Sequence, residues 1–106
     1  MKRKIKDSID LNNLKSFGFK YIKNGYFRKD ISEELVMFDN GTPTGDYKLI
    51  SIGVSPRREV SKVVSISCLG QIRQIYGVPL LEEDIQDLIK AGFIEEIEVN
   101  YDEKED

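Results

Sequence analysis

The chain has 106 residues, 40% apolar and 33% charged, which suits one globular domain around a single hydrophobic core. It has no histidine and one cysteine, Cys68. The commonest general base and metal ligand is therefore missing, and no disulfide can form within the chain. The net charge of −3 conceals a gradient: residues 1–30 carry nine Lys or Arg against three Asp or Glu, residues 31–81 five of each, and residues 82–106 two against eleven.

The opening Met-Lys-Arg-Lys is not followed by an apolar run, because Lys6, Asp7, Ser8 and Asp10 interrupt it. No secretion signal is read there. No segment approaches the roughly 20 apolar residues of a membrane span. A cytoplasmic protein is expected. Asp10 is placed to cap a short helix over 11–17, with Leu11 and Leu14 on its apolar side. Gly18 suits the left-handed position that ends a helix, and Phe19 can fold back on Leu14. A hairpin follows, with strands 19–23 and 26–30 about Asn24-Gly25, a dipeptide suited to a type I′ turn. That turn would set Lys23 opposite Tyr26, Ile22 opposite Phe27 and Tyr21 opposite Arg28.

Residues 34–39 read as a further strand, and 40–46 as a loop rich in turn residues. Residues 47–54 and 60–68 are strands joined through 55–59. In the second, Val60, Val64, Ile66 and Cys68 share one face with Lys62, and Ser61, Ser65 and Ser67 line the other around Val63. Residues 69–76 fit a short helix through Leu69, Ile72, Ile75 and Tyr76, although a strand is open there too. A helix over 81–91 has an apolar stripe of Leu81, Ile85, Leu88 and Ile89, acids in its first turn and Lys90 in its last. Gly92 ends it, and 93–99 form a final strand with Phe93, Ile97 and Val99 inward. Residues 100–106 read as an acidic tail. The pattern Asp10-x-x-x-Leu14-x-x-x-Gly18-Phe19 returns as Asp84-x-x-x-Leu88-x-x-x-Gly92-Phe93. It reads as one way of ending a helix, used twice.

The expected fold is α+β. An antiparallel sheet of about five strands carries two or three short helices on one face, in one domain over 1–99 with the tail at 100–106. Leu14, Phe19, Val64, Ile66, Ile85, Leu88 and Phe93 are expected in the core.

Two surfaces compete for function. The first is acidic. Glu82, Glu83 and Asp87 fall on the outer side of the 81–91 helix, and Glu96 and Glu98 on the outer side of the last strand. Glu83 and Asp87 are like charges four residues apart, which costs a few tenths of a kcal/mol. Such a surface would steer a basic protein into place. The preferred expectation is a non-enzymatic protein that binds or inhibits a basic, nucleic-acid-acting partner, as phage anti-defence or immunity-type proteins do. The second surface is basic and aromatic. Lys20, Lys23, Arg28 and Lys29 alternate with Phe19, Tyr21, Tyr26 and Phe27, with Arg57 and Arg58 at a hairpin tip. Single-stranded nucleic acid sites combine these residue types. More simply, the segment is an amphipathic hairpin whose aromatics enter the core. A third reading is an assembly subunit that uses a free sheet edge. No cofactor, metal site or catalytic constellation is read from the sequence, and Cys68 is expected to be buried and inert.

Overall fold

A computed structural model describes residues 2–97. Seven strands form one antiparallel sheet: β1 (Lys2–Ile5), β2 (Lys20–Tyr21), β3 (Phe27–Met37), β4 (Pro43–Val54), β5 (Glu59–Cys68), β6 (Gln71–Val78) and β7 (Ile94–Ile97). The order is β2-β3-β4-β5-β1-β7, and β6 also pairs with β5. Among the described residues, helical structure is limited to a 3-10 helix, Leu11–Phe17, and a second unit in which a 3-10 turn, Glu82–Ile85, runs into α1 (Gln86–Lys90). The α+β reading therefore stands with a larger sheet and shorter helices than expected.

The two helical units lie on one face of the sheet. Leu14, Ile85 and Leu88 are fully or almost fully buried against Ile5, Phe27, Ile52, Val54 and Val60, with Phe19 completing the cluster. Register explains which strand residues take part. Phe27 pairs with Val54, and Val54 with Val60, so all three project to the covered face. Phe93 packs at the edge of this core, edge-to-face against Phe17 with ring centroids 5.1 Å apart. Val64 is buried outside that cluster, and Ile66 is half-buried. Both lie farther along β5, beyond the helices.

The repeated sequence pattern is a repeated structure. Gly18 has φ +91° and Gly92 φ +77°, and each lets the chain turn back at a helix end. The Phe19 N–H then donates to the Leu14 carbonyl at 3.2 Å, and the Phe93 N–H to the Leu88 carbonyl at 3.0 Å. At the first start, the Asp10 carboxylate accepts from the Asn12 N–H. At the second, the Asp84 carboxylate accepts from the Leu81 N–H.

Several expectations are corrected. The choice left open at 69–76 falls to a strand, with residues 71–78 forming β6. Cys68 pairs with Gln71, and the turn between them has both central residues at positive φ, Leu69 at 52° and Gly70 at 79°. This geometry matches the twist of a two-residue hairpin. Strands 26–30 and 34–39 merge into the single β3, whose register shifts near Ile31 and again near Val36. The first hairpin is one residue out of the expected register, with Tyr21 opposite Phe27 and Lys20 opposite Arg28. The Ile22 N–H, rather than that of Lys23, donates to the Tyr26 carbonyl, so an extra residue bulges into the turn. β1 was not foreseen. Cys68 is exposed rather than buried, because its end of β5 lies past the helical cover. Glu98, Val99 and the tail 100–106 lie outside the described residues.

Leu88→Ala should lower stability by about 2–5 kcal/mol, since a fully buried leucine loses both transfer energy and packing. Leu69→Asn should raise it by about 1 kcal/mol, because Leu69 is strained at positive φ where asparagine is favoured. Urea unfolding curves of the two variants, displaced in opposite directions from the wild type, are the expected result.

Candidate functional site

Of the six acids in 82–97, Glu82, Asp87, Glu95 and Glu96 are matched by bases from the first thirty residues. β1 and β7 pair antiparallel, setting Arg3 opposite Glu96 and Lys4 opposite Glu95. The Arg3 guanidinium lies 3.7 Å from the Glu96 carboxylate and 3.8 Å from that of Glu82. Its Nη1 also donates to the Leu80 carbonyl. Lys4 meets Asp7 at 3.2 Å and Glu95 at 3.4 Å. The hydrogen bond to Asp7 is the main cause holding its ammonium pKa above the ordinary lysine value. Asp87 accepts from Lys29 Nζ at 3.1 Å and so faces β3. The structure therefore joins Glu82 and Glu96 around Arg3 but turns the Asp87 carboxylate toward another element, and it reverses the expected faces of β7: Glu96 lies with Ile94 on the helix-bearing side and Ile97 on the other. Glu83 is exposed on the second helical unit. Glu98 falls outside the described residues. Within 2–97 there are fifteen Lys or Arg against fourteen Asp or Glu, so this part of the chain is nearly balanced.

Two of the six candidate basic residues have structural work. Arg58 Nη1 donates to the Lys6 carbonyl at 2.8 Å and to the Ile9 carbonyl at 2.6 Å, tying the β4–β5 turn to the segment after β1. Lys29 projects to the covered face, where its ammonium lies 5.9 Å from the Phe19 ring centroid and bonds Asp87. The other four stay near the solvent. Lys20 and Arg28 are register partners and so share the face that the helices leave open. Lys23 sits in the adjoining turn. Arg57 is exposed at the β4–β5 tip, which packs against the β2–β3 turn, since a Cβ on Gly25 would lie 3.1 Å from Pro56 Cγ.

That open face holds a groove of about 420 Å³. Its floor comes from β4 and β5: Ser51, Gly53, Ser61, Val63 and Ser65. One wall is the first hairpin, with Ile22, Lys23, Tyr26 and Arg28; the other is β6, with Gln74 and Tyr76. Arg28 is 3.1 Å from Asp30, whose carboxylate also accepts from the Ser51 hydroxyl at 2.8 Å. The ion pairs of the described residues engage Arg28 and Lys29 but neither Lys20 nor Lys23. Tyr26 is 50% and Tyr76 71% exposed, so both rings are available to a ligand.

The sequence indicated half of this groove. The alternation of Ser61 and Ser65 marked a polar sheet face, and the basic, aromatic hairpin was conspicuous. The far wall was missed because 69–76 resembled a helix. Nothing in the local sequence joins Tyr76 to Tyr26; the pairing of β6 with β5 does.

The fold and groove define a small α+β module with one covered and one open sheet face. No helix is long and apolar enough to cross a membrane, and no cluster able to hold a metal ion occurs among the described residues. No protein-family model, curated protein or solved structure matches the chain.

The pair formed by Lys62 and Asp84 is the best buried of these ion pairs, at 3.0 Å with side chains 13% and 10% exposed. Asp84→Ala should cost about 3 kcal/mol, because it strands a shielded ammonium. Glu96→Ala, at a half-exposed pair, should cost less than about 1 kcal/mol. Urea titrations at low and high salt should show the first loss persisting and the second shrinking.

Proposed function

We propose that this protein is a non-catalytic nucleic-acid-binding accessory protein that holds a single strand in the open-face groove. The observation that carries the reading is the meeting of Tyr26, Lys23 and Arg28 with Tyr76 across a floor of small residues. A single strand offers bases to stack and phosphates to neutralise. Base–aromatic stacking contributes about 1–3 kcal/mol per base. The two tyrosines stand on opposite walls, Lys23 and Arg28 line the hairpin side, and Lys20 shares the face of Arg28. The serine hydroxyls supply sequence-independent hydrogen bonds to sugar or phosphate. A groove with an aromatic wall on each side suits splayed bases better than the regular backbone of a duplex.

A second reading is docking of a basic protein on Glu82, Glu83 and Glu96. It is favoured by the convergence of Glu82 and Glu96 on one arginine, with Glu83 on the same helical unit. This is the anti-defence or inhibitor role expected from the charge gradient. The two readings use different surfaces and separate cleanly.

Fluorescence anisotropy with a labelled pyrimidine oligonucleotide should give a Kd of about 10⁻⁵–10⁻⁶ M at low salt, with log K falling about two units per decade of salt for three phosphate contacts. Tyr26→Ala and Tyr76→Ala should each weaken binding at least about fivefold, the lower end of one lost stack. Reversing Glu82, Glu83 and Glu96 to lysine should leave that affinity intact or raise it. Binding indifferent to both tyrosines would overturn the groove. Loss of co-purification with a basic protein on acid reversal alone would establish the second reading.

A further inference from the structure

One level of the open face joins three strands in a single row. Arg28 on β3 pairs with Gly53 on β4, and Gly53 with Ser61 on β5. All three line the groove, and Tyr26 stands on the same wall as Arg28. Two strand spacings, about 10 Å, separate Arg28 from Ser61, which leaves the width of one purine above Gly53. That gap has no cause in the backbone. Seven of the eight glycines have positive φ, and Gly53 does not. A Cβ there would meet Ser61 Oγ at 3.8 Å and the Phe27 carbonyl oxygen at 3.9 Å, both ordinary contacts. A side chain can therefore begin at this position without strain, and a branched one would strengthen the strand.

The guanidinium beside the gap is placed by its neighbours. Arg28 Nε lies 3.1 Å from Asp30 Oδ1. The same oxygen accepts from the Ser51 hydroxyl at 2.8 Å, and Ser51 is buried and opposite Asp30 in the register. Asp30 is thus held from the groove floor, and it in turn restrains Arg28. A pair with no net charge is a weak phosphate ligand, because phosphate affinity comes from cations that displace counterions. A restrained guanidinium is better suited to a base edge, where its planar fork meets two adjacent acceptors. The width above Gly53 selects a purine. Of the two purines, guanine sets the acceptors O6 and N7 side by side, whereas adenine sets a donor beside N7.

We infer that the groove reads one guanine of a bound single strand. The base lies over Gly53 beside the Tyr26 ring, and the Arg28 fork donates to O6 and N7. Asp30 and Ser51 are positioning residues that act through Arg28. This inference rests on the single-strand reading above and adds a base preference to it.

Fluorescence anisotropy with four labelled DNA octamers tests it: one all thymine, and three with a single central guanine, adenine or cytosine. The guanine octamer should bind at least about fivefold tighter than the others, the lower end for one bidentate contact. Arg28→Lys keeps the charge and loses the fork, so it should erase that preference and leave binding of the thymine octamer as in the wild type. Ser51→Ala should reduce the preference in the same selective way. Asp30→Asn should reduce it and steepen the fall of log K with log salt by about 0.7, as Arg28 turns to a phosphate. Gly53→Val should raise the urea midpoint while erasing the preference, a pairing that a purely structural glycine would not give. Equal binding of all four octamers, still dependent on Tyr26 and Tyr76, would overturn the guanine site and leave the single-strand reading standing. A guanine preference untouched by Arg28→Lys would overturn the site too. Binding of none of the four would overturn both.

Discussion

Leu14 and Leu88 anchor this molecule to one side of its sheet. Each closes a helical unit, accepts the N–H of a phenylalanine five residues on, and is completely buried. Between them they hold both helical units on the Phe27, Val54 and Val60 end of the covered face. Neither unit is long enough to persist alone, because short helices in water lack the cooperativity to offset nucleation. Tertiary burial keeps them folded, and in turn they supply the apolar surface that half of the sheet needs. Among the described residues the opposite face receives no such cover, which leaves the groove there open to solvent.

Part of the charge gradient along the chain is used in folding. Basic β1 and acidic β7 are sequence-distant strands brought side by side, and opposite charges across an antiparallel pair favour that register. Each pair is half-exposed and contributes little by itself. Their arrangement matters more, because a one-residue slip would move Ile5 and Ile94 off the covered face while mismatching the charges. Lys29 with Asp87 and Lys62 with Asp84 repeat this theme between the sheet and the second helical unit. A charge count along a linear sequence reveals the separation but not the reunion. That is why the sequence could not show which of the acids are paired within the fold.

Much of the fold was legible wherever one residue type had a single physical use. Gly18 and Gly92, the Asn24-Gly25 turn, the Leu14 and Leu88 stripes and the alternation in β5 all point to their structures without further context. β6 failed because its apolar residues are not sorted by burial: Ile72, Ile75 and Tyr76 are all exposed, so no face imposes period two. β1 failed because three of its four residues are basic, and nothing local shows that β7 will neutralise them. Of the candidate residues, Lys23 and Arg28 line the groove, Lys20 shares their face and Arg57 is exposed at the β4–β5 tip, whereas Lys29 and Arg58 proved structural. Arg58 in particular spends its guanidinium on two backbone carbonyls that no hairpin-tip reading could anticipate.

The open face carries features that folding alone does not require. Ser51, Ser61 and Ser65 occupy central strand positions where valine, isoleucine or threonine would pack better against cross-strand neighbours. Gly53 adds the backbone entropy cost of a glycine within a strand. Together these choices keep the floor low between Tyr26 and Tyr76. Filling it with branched side chains would strengthen the sheet and erase the groove. Stability conceded in a confined patch, beside exposed aromatic rings and lysines outside the ion pairs of the described residues, is the trade expected where a surface is kept open for a ligand. The covered face is mostly apolar, and Lys29 and Lys62 on it are paired with Asp87 and Asp84. Its central positions, Phe27, Ile52 and Val54, are apolar and buried. The two faces of the same strands thus differ in what they carry, and the groove proposal rests on the open one.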